Sequence, residues 1–365
     1  MENLIFDTIT LIQTVPSLKR PSTFLLDMFF PNVHMADTET VAIDVDVGLR
    51  RLAPFVSPLV EGKLVEQRRY QTATIKPAYI KDKRAPDLRK PVRRMIGERI
   101  GGEMSPAQRE MMNLEMEMTD QIDILTRRLE WMAAQVLMTG TVTIEGDGYP
   151  PVVIDFGRDS SLTIAKTGTA TWTIANVTAQ NASPTQDIQF AQRLVMKLSA
   201  ARMTDIIFTD SAFVGFEADP LVKGAIYYPR LGESGNVIDP GAWIQQGAVF
   251  KGMWGQYRLW LYEEWYIDSG TEGGTTNVEY PMIPDGYVVM CGPDMMGTRA
   301  FGVIMDPEVN YATLPFAPKT WTSKDPAQRY IMMQSAPIVI PARVNACVAI
   351  NACPSLLTGS WAIAA

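Results

Sequence analysis

Apolar residues recur at spacings of three and four from Met111 through Leu114, Met118, Ile122, Leu125, Leu129 and Met132 to Val136. That is one stripe along one long helix. Its start is marked by Ser105-Pro106-Ala107-Gln108, where a serine N-cap, a proline at the first helical position and a glutamine at the third make a capping box. Glu110, Glu115, Glu117, Asp120 and Asp123 fill the early turns, with Arg127 and Arg128 later, as the helix dipole favours. Thr139-Gly140 stops it. A helix over 106–139 rises about 50 Å, about three times an ordinary globular helix. It reads as a spine, and its methionine-rich stripe as core rather than a ligand pocket.

Period-two patterning marks the strands. Val41, Ile43, Val45 and Val47 alternate with Ala42, Asp44, Asp46 and Gly48, a half-buried strand whose two aspartates share the solvent face. Before it, Pro16, Pro21 and Pro31 keep the first forty residues extended, with 24–30 as a short apolar anchor. Residues 71–80 have strand character, and Pro54, Pro58, Pro77, Pro86 and Pro91 suit a projecting hairpin or edge ribbon. After the long helix, Val142 and Ile144, the turn Asp147-Gly148, and 152–154 predict a hairpin. Short strands are expected at 161–164 and 171–174. A second capping box, Ser183-Pro184-Thr185-Gln186, opens a helix carrying Ile188, Ala191, Leu194, Val195 and Leu198. Strands follow at 206–208, 287–290 and 336–350. The class is α+β.

Charge changes this picture in one place. Residues 50–99 hold fourteen lysines and arginines against five acids, a net +9, whereas the whole chain is −7 and the remainder therefore −16. So charged a segment has too few large apolar side chains to bury a core of its own. It needs an acidic surface, and the rest of the same molecule is one, which points to self-assembly by arm exchange. Phe55, Tyr70 and Tyr79 are the aromatics within it. Nonspecific phosphate binding stays as an alternative.

Catalytic signatures are sparse. Glu263 and Glu264, set among Trp260, Tyr262, Trp265 and Tyr266, resemble a cleft with paired carboxylates. Adjacent strand residues face opposite ways, so they do not form that pair together. The single histidine, His34, lacks a nucleophile motif. Cys347 and Cys353, with five residues between them, match no usual zinc spacing and with Cys291 read as isolated, reduced thiols. No basic region leads into an apolar run after Met1, and the charge-free stretch after Arg343 is interrupted by Asn345, Asn351, Pro354, Thr358, Gly359 and Ser360. A soluble chain without secretory signal or spanning helix is expected.

Several segments carry a family resemblance in order along nearly the whole chain. They are 51–58 (RLAPFVSP) and 76–81 (KPAYIK), then 139–144 (TGTVTI) running to 155–159 (DFGRD), then 335–341 (SAPIVIP). Together they resemble the lambda-type major capsid proteins, the E family of tailed phages. The resemblance implies an HK97-like phage capsid fold. On this chain it would comprise an N-terminal arm with the first strand at 1–47, an extended loop at 48–100, a peripheral domain at 101–181 and 328–365 built on spine helix 106–139, and an axial domain at 182–327.

The implied function is that of a major head protein, not an enzyme, without cofactor or metal. Copies would self-assemble as hexamers and pentamers into the icosahedral shell enclosing phage DNA, assembling in the host cytoplasm and residing in the virion. Implied partners are a scaffolding protein, a portal and a decoration protein, with packaged DNA nearby but not read by sequence, and no membrane. No lysine–asparagine cross-link is evident, so noncovalent contacts or the decoration protein would stabilise the shell. The expected subunit-interface residues on the loop are Arg50, Arg51, Phe55, Lys63, Arg68, Arg69, Tyr70, Lys76, Tyr79, Lys81, Lys83 and Arg84. An encapsulin-like compartment of the same fold and a carbohydrate-active enzyme using Glu263 or Glu264 are the alternatives.

Overall fold

A computed structural model describes residues 23–46, 70–87, 104–146, 149–223, 247–268, 278–325 and 327–353, with short pieces at 52–53, 55–59, 61–62, 64, 89, 226–227 and 244–245. Helix α1 (Phe24–Phe29) leads into strands β1 (Asn32–Met35) and β2 (Val41–Asp46). Strand β3 (Tyr70–Ile75) returns antiparallel to β2 with Val41 opposite Ile75, and β4 (Ile80–Arg84) follows. Long helix α2 (Pro106–Thr139) is succeeded by the hairpin β5 (Thr141–Gly146) and β6 (Tyr149–Asp155), then β7 (Thr163–Ala165). Next come α3 (Ile174–Thr178), α4 (Pro184–Leu198), β8 (Asp205–Phe208), α5 (Asp210–Glu217) and α6 (Pro220–Lys223).

Strands β9 (Ile226–Tyr227), β10 (Ile244–Gln245), β11 (Ala248–Trp254) and β12 (Tyr257–Tyr262) precede the hairpin β13 (Trp265–Asp268) and β14 (Val278–Pro281). The chain ends with β15 (Tyr287–Cys291), β16 (Thr298–Phe301), β17 (Ala317–Lys324), β18 (Ala327–Ser335), β19 (Pro337–Ile340) and β20 (Val348–Asn351).

Among the described residues the largest sheet has eight strands, ordered β10-β11-β12-β8-β15-β20-β7 with β9 also on β11. Two three-stranded sheets, β1-β16-β19 and β17-β18-β4, flank the long helix. That helix joins two cores. Leu129, Met132, Ala133 and Val136 enter the main core with Phe208, Val289 and Ile350, whereas Leu114, Met118, Ile122 and Leu125 pack on Phe316, Ile331 and Met333. The stripe begins at Leu114, because Met111 is exposed. Both halves of the capping box form: Ser105 Oγ accepts from the Gln108 backbone N–H, and Gln108 Oε1 from that of Ser105. Gly140 closes the helix in the left-handed region, φ 75°.

Several local expectations change. The anchor at 24–30 is helix α1, and Phe24, Leu25, Leu26, Phe29 and Phe30 lie in the main core rather than along an extended arm. Residues 171–174 are not a strand: Thr173 caps α3 through its side chain, and the buried Trp172 indole donates to Asp187 at 2.9 Å. Ser183 does not cap α4 through its side chain. Instead the Asp219 carboxylate accepts from the Thr185 hydroxyl at 3.0 Å, a partner that sequence spacing does not reveal. The strand expected over 336–350 is two strands, β19 and β20, in different sheets, with Pro341 immediately after the first. Likewise 260–266 divides at Glu263-Glu264, the corner between β12 and β13. The side chains of Asp44 and Asp46 and the turn at 147–148 lie outside the described residues.

Candidate assembly surface

In chain order the first part of the basic segment falls between β2 and β3, and its later part includes β4. Within it Leu52, Phe55, Leu59 and Leu64 are 95%, 106%, 94% and 99% exposed. Large apolar side chains that meet almost nothing of their own chain are what an interaction surface looks like. Phe55 was expected there from sequence; Leu52, Leu59 and Leu64 were masked by the charges around them. Arg50, Arg51, Lys63, Arg68 and Arg69 lie outside the described residues, as does the side chain of Tyr70.

The other candidates sit on their own chain. Lys76 pairs with Glu39. The Tyr79 hydroxyl donates to Gln334 Oε1 at 3.0 Å, and the Lys81 ammonium lies 5.1 Å from the Tyr79 ring. Lys83 lies 4.4 Å from the Tyr330 ring and 5.3 Å from Trp321, two rings stacked at 5.4 Å. Arg84 donates to Asp82 at 3.0 Å, to Glu117 at 3.1 Å and to Asp120. Burial alone would lower its pKa, but the bonds to Asp120 and Glu117 and the charge of Asp82 outweigh that and raise it.

Of the two expectations, a projecting hairpin or an edge ribbon, residues 80–84 meet the second, because β4 is an edge strand of the sheet β17-β18-β4. Strand β4 pairs with β18, Arg84 opposite Ile331, and so lies against the acidic turns of α2. The reason is that α2 presents Glu117 and Asp120 within reach, while Arg329 from the same sheet takes Glu110. Behind β4 runs a polar chain that sequence spacing did not show. Gln334 Nε2 donates to Asp306 Oδ2 at 2.9 Å, and Lys319 Nζ donates to the same oxygen at 2.9 Å.

Glu263 and Glu264 stand in separate surroundings. Glu263 has Asp210, Asp285 and Lys251 about it, and Glu264 has Arg127 and Asp123. Burial raises both pKa values first of all. The structure does not set them across a common bond. His34 is exposed on β1. Among the described residues no three or more His, Cys, Asp and Glu side chains gather as a metal site, and no helix is long and apolar enough to cross a membrane.

Residues 7–352 match the phage major capsid protein E family. The chain belongs to that family. It is 26% identical over 320 residues to the major capsid protein of Escherichia phage lambda, covering 86% of this chain and 89% of that protein. It is 27% identical over 322 residues to the major capsid protein of Enterobacteria phage P21, covering 86% and 90%. A solved capsid protein of an Escherichia coli CFT073 prophage superposes with a TM-score of 0.70 at 23% identity, covering 94% of this chain and 98% of that one. The α+β architecture is thus the HK97-like capsid fold. Membership in the E family makes this chain a structural subunit of a phage capsid, a virion component that associates with further copies of itself.

Proposed function

We propose that copies of this chain, as hexamers and pentamers, close into the icosahedral shell around phage DNA, each laying its loop of residues 48–69 on the next. The observation that carries this is the near-complete exposure of Leu52, Phe55, Leu59 and Leu64. Burying a side chain of that size contributes about 1.5–3 kcal/mol, whereas an exposed ion pair contributes about 0–1 kcal/mol. The apolar side chains supply the hold, and Arg50, Arg51, Lys63, Arg68 and Arg69 steer the approach. Residues 76–84, tied to β18 and α2, are the fixed root of the loop.

In this reading 1–47 is the N-terminal arm, 48–100 the extended loop, 101–181 with 328–365 the peripheral domain and 182–327 the axial domain. The last two share the eight-stranded sheet, since β20, which carries β7 on its outer side, pairs with β15 of the axial part. Assembly takes place in the host cytoplasm with a scaffolding protein and a portal, and a decoration protein stabilises the outside. The subunit catalyses no reaction, and its net charge of −7 keeps packaged DNA from adhering.

Electron microscopy of the purified chain tests this. Replacing Leu52, Phe55 and Leu64 by serine is expected to leave folded, soluble subunits that form no closed particles. Normal particles from that variant would reject the loop as the contact.

A further inference from the structure

Sequence spacing leaves the three cysteines isolated; the fold brings two of them together. Cys291 ends β15 and Cys347 stands one residue before β20. These strands are antiparallel with Met290 opposite Val348, so the next step of the ladder sets Cys291 opposite Cys347. Cys347 has extended backbone, φ −125° and ψ 146°, as that continuation requires. Opposite residues in such a pair point to one face with Cβ atoms about 4.5–5.5 Å apart, a gap that a small closing shift brings within disulfide reach. Both residues are buried, 0% and 1% exposed, and each thiol shifts the pKa of the other.

A half-buried cation stands beside them. The Arg158 guanidinium donates to two uncharged carbonyls, Leu137 O at 2.8 Å and Leu162 O at 2.6 Å, and its buried Nε has no hydrogen-bond partner. Cys347 Sγ lies 3.4 Å from the same Leu137 oxygen. The neighbouring Cys291 thiol and the charge of Arg158 lower the Cys347 pKa against the opposing effect of burial, whereas burial raises that of Cys291. The roles divide accordingly: Cys347 is the nucleophile and Cys291 the resolving thiol.

We propose that Cys291 and Cys347 form a peroxide-sensitive dithiol site that closes into a disulfide stapling β15 to β20. The Cys347 thiolate attacks one oxygen of hydrogen peroxide and the O–O bond breaks. Cys347 becomes a sulfenic acid, and the departing hydroxide takes a proton to become water. The Cys291 sulfur then attacks the sulfenic sulfur, the S–S bond forms, the S–O bond breaks, and a second water leaves with the Cys291 proton. Two thiols are oxidised and one peroxide is reduced to two waters. The oxidant must be small, because both sulfurs are enclosed. A capsid outside the cell meets oxidants that its freshly made subunits do not.

The test treats the native full-length protein with hydrogen peroxide, quenches with catalase, denatures, alkylates the remaining thiols and maps the peptides by mass spectrometry. Alkylated cysteines are expected to fall from three to one, with Cys353 still free and the Cys291 and Cys347 peptides joined. Dithiothreitol should restore all three. In Cys291→Ser, dimedone should trap Cys347 as its sulfenic acid; if that variant does not fold, the wild-type map decides alone. Three thiols still alkylated, sulfinic acid without a cross-link, oxidation confined to the neighbouring Met295 thioether, or a bridge to Cys353 would each overturn the proposal.

Discussion

The Glu130 carboxylate on α2 accepts from the Leu25 and Leu26 backbone N–H groups of α1 at 2.8 and 3.1 Å and from the Tyr262 hydroxyl at 3.1 Å. Burial raises its pKa from 4.5 to about 7, the three donors pull it back, and Asp27 adds to the rise. Between those values the folded state holds a proton that the unfolded chain has released, so stability falls as pH rises through about 7. The whole change is roughly 3 kcal/mol. Glu130→Gln, whose amide does not titrate there, is expected to flatten the dependence of melting temperature on pH across this window. An unchanged slope in calorimetry would remove Glu130 as the titrating group. Gly140 makes a second prediction at this scale. Its φ is +75° and an added Cβ would meet the Arg158 side chain at 2.5 Å. Gly140→Ala should therefore cost about 1–2 kcal/mol from backbone strain, plus the overlap, read as a lower chemical-denaturation midpoint.

Helix α2 is the element on which the two cores depend. Ile122 is wholly buried in the smaller one, with Phe316 and residues of β18 and β4, while Leu129 onward belongs to the larger. Ile122→Ala should destabilise by about 2–5 kcal/mol. Hydrogen exchange should show the loss first in the three-stranded sheet and little in β8, β15 and β20. Equal loss in both would mean that the cores unfold as one. At the helix start, Ser105→Ala removes one half of the capping box and should cost about 1 kcal/mol, with exchange rising at the first turn.

For the molecule as a whole, the structure divides the basic segment into a part bound to its own chain and a part that meets little of it. Lys83 rests on Tyr330 and Trp321, so Lys83→Ala should lower subunit stability by about 0.5–1 kcal/mol without preventing particles. Serine at Leu52, Phe55 and Leu64 should do the reverse. Light scattering over a range of salt, with both variants, separates the two. If the Lys83 change blocks assembly while leaving the melting temperature alone, residues 80–84 belong to the interface between copies.

Local physics alone determined much of this protein. The bounds of α2, its serine cap and glycine stop, the β5–β6 hairpin and the run of family-like segments all rest on neighbours within a few residues, and such contacts are written in spacing. The tertiary structure decided the rest. Phe24–Phe29 becomes a core helix because Glu130, more than a hundred residues away, receives its first N–H groups. Arg84 turns inward because α2 offers two carboxylates, and leucines that look buried by composition stand in solvent because nothing of their own chain covers them. Cys291 and Cys347 meet because antiparallel pairing depends on register, which relates distant segments by a sum of positions that no local pattern encodes.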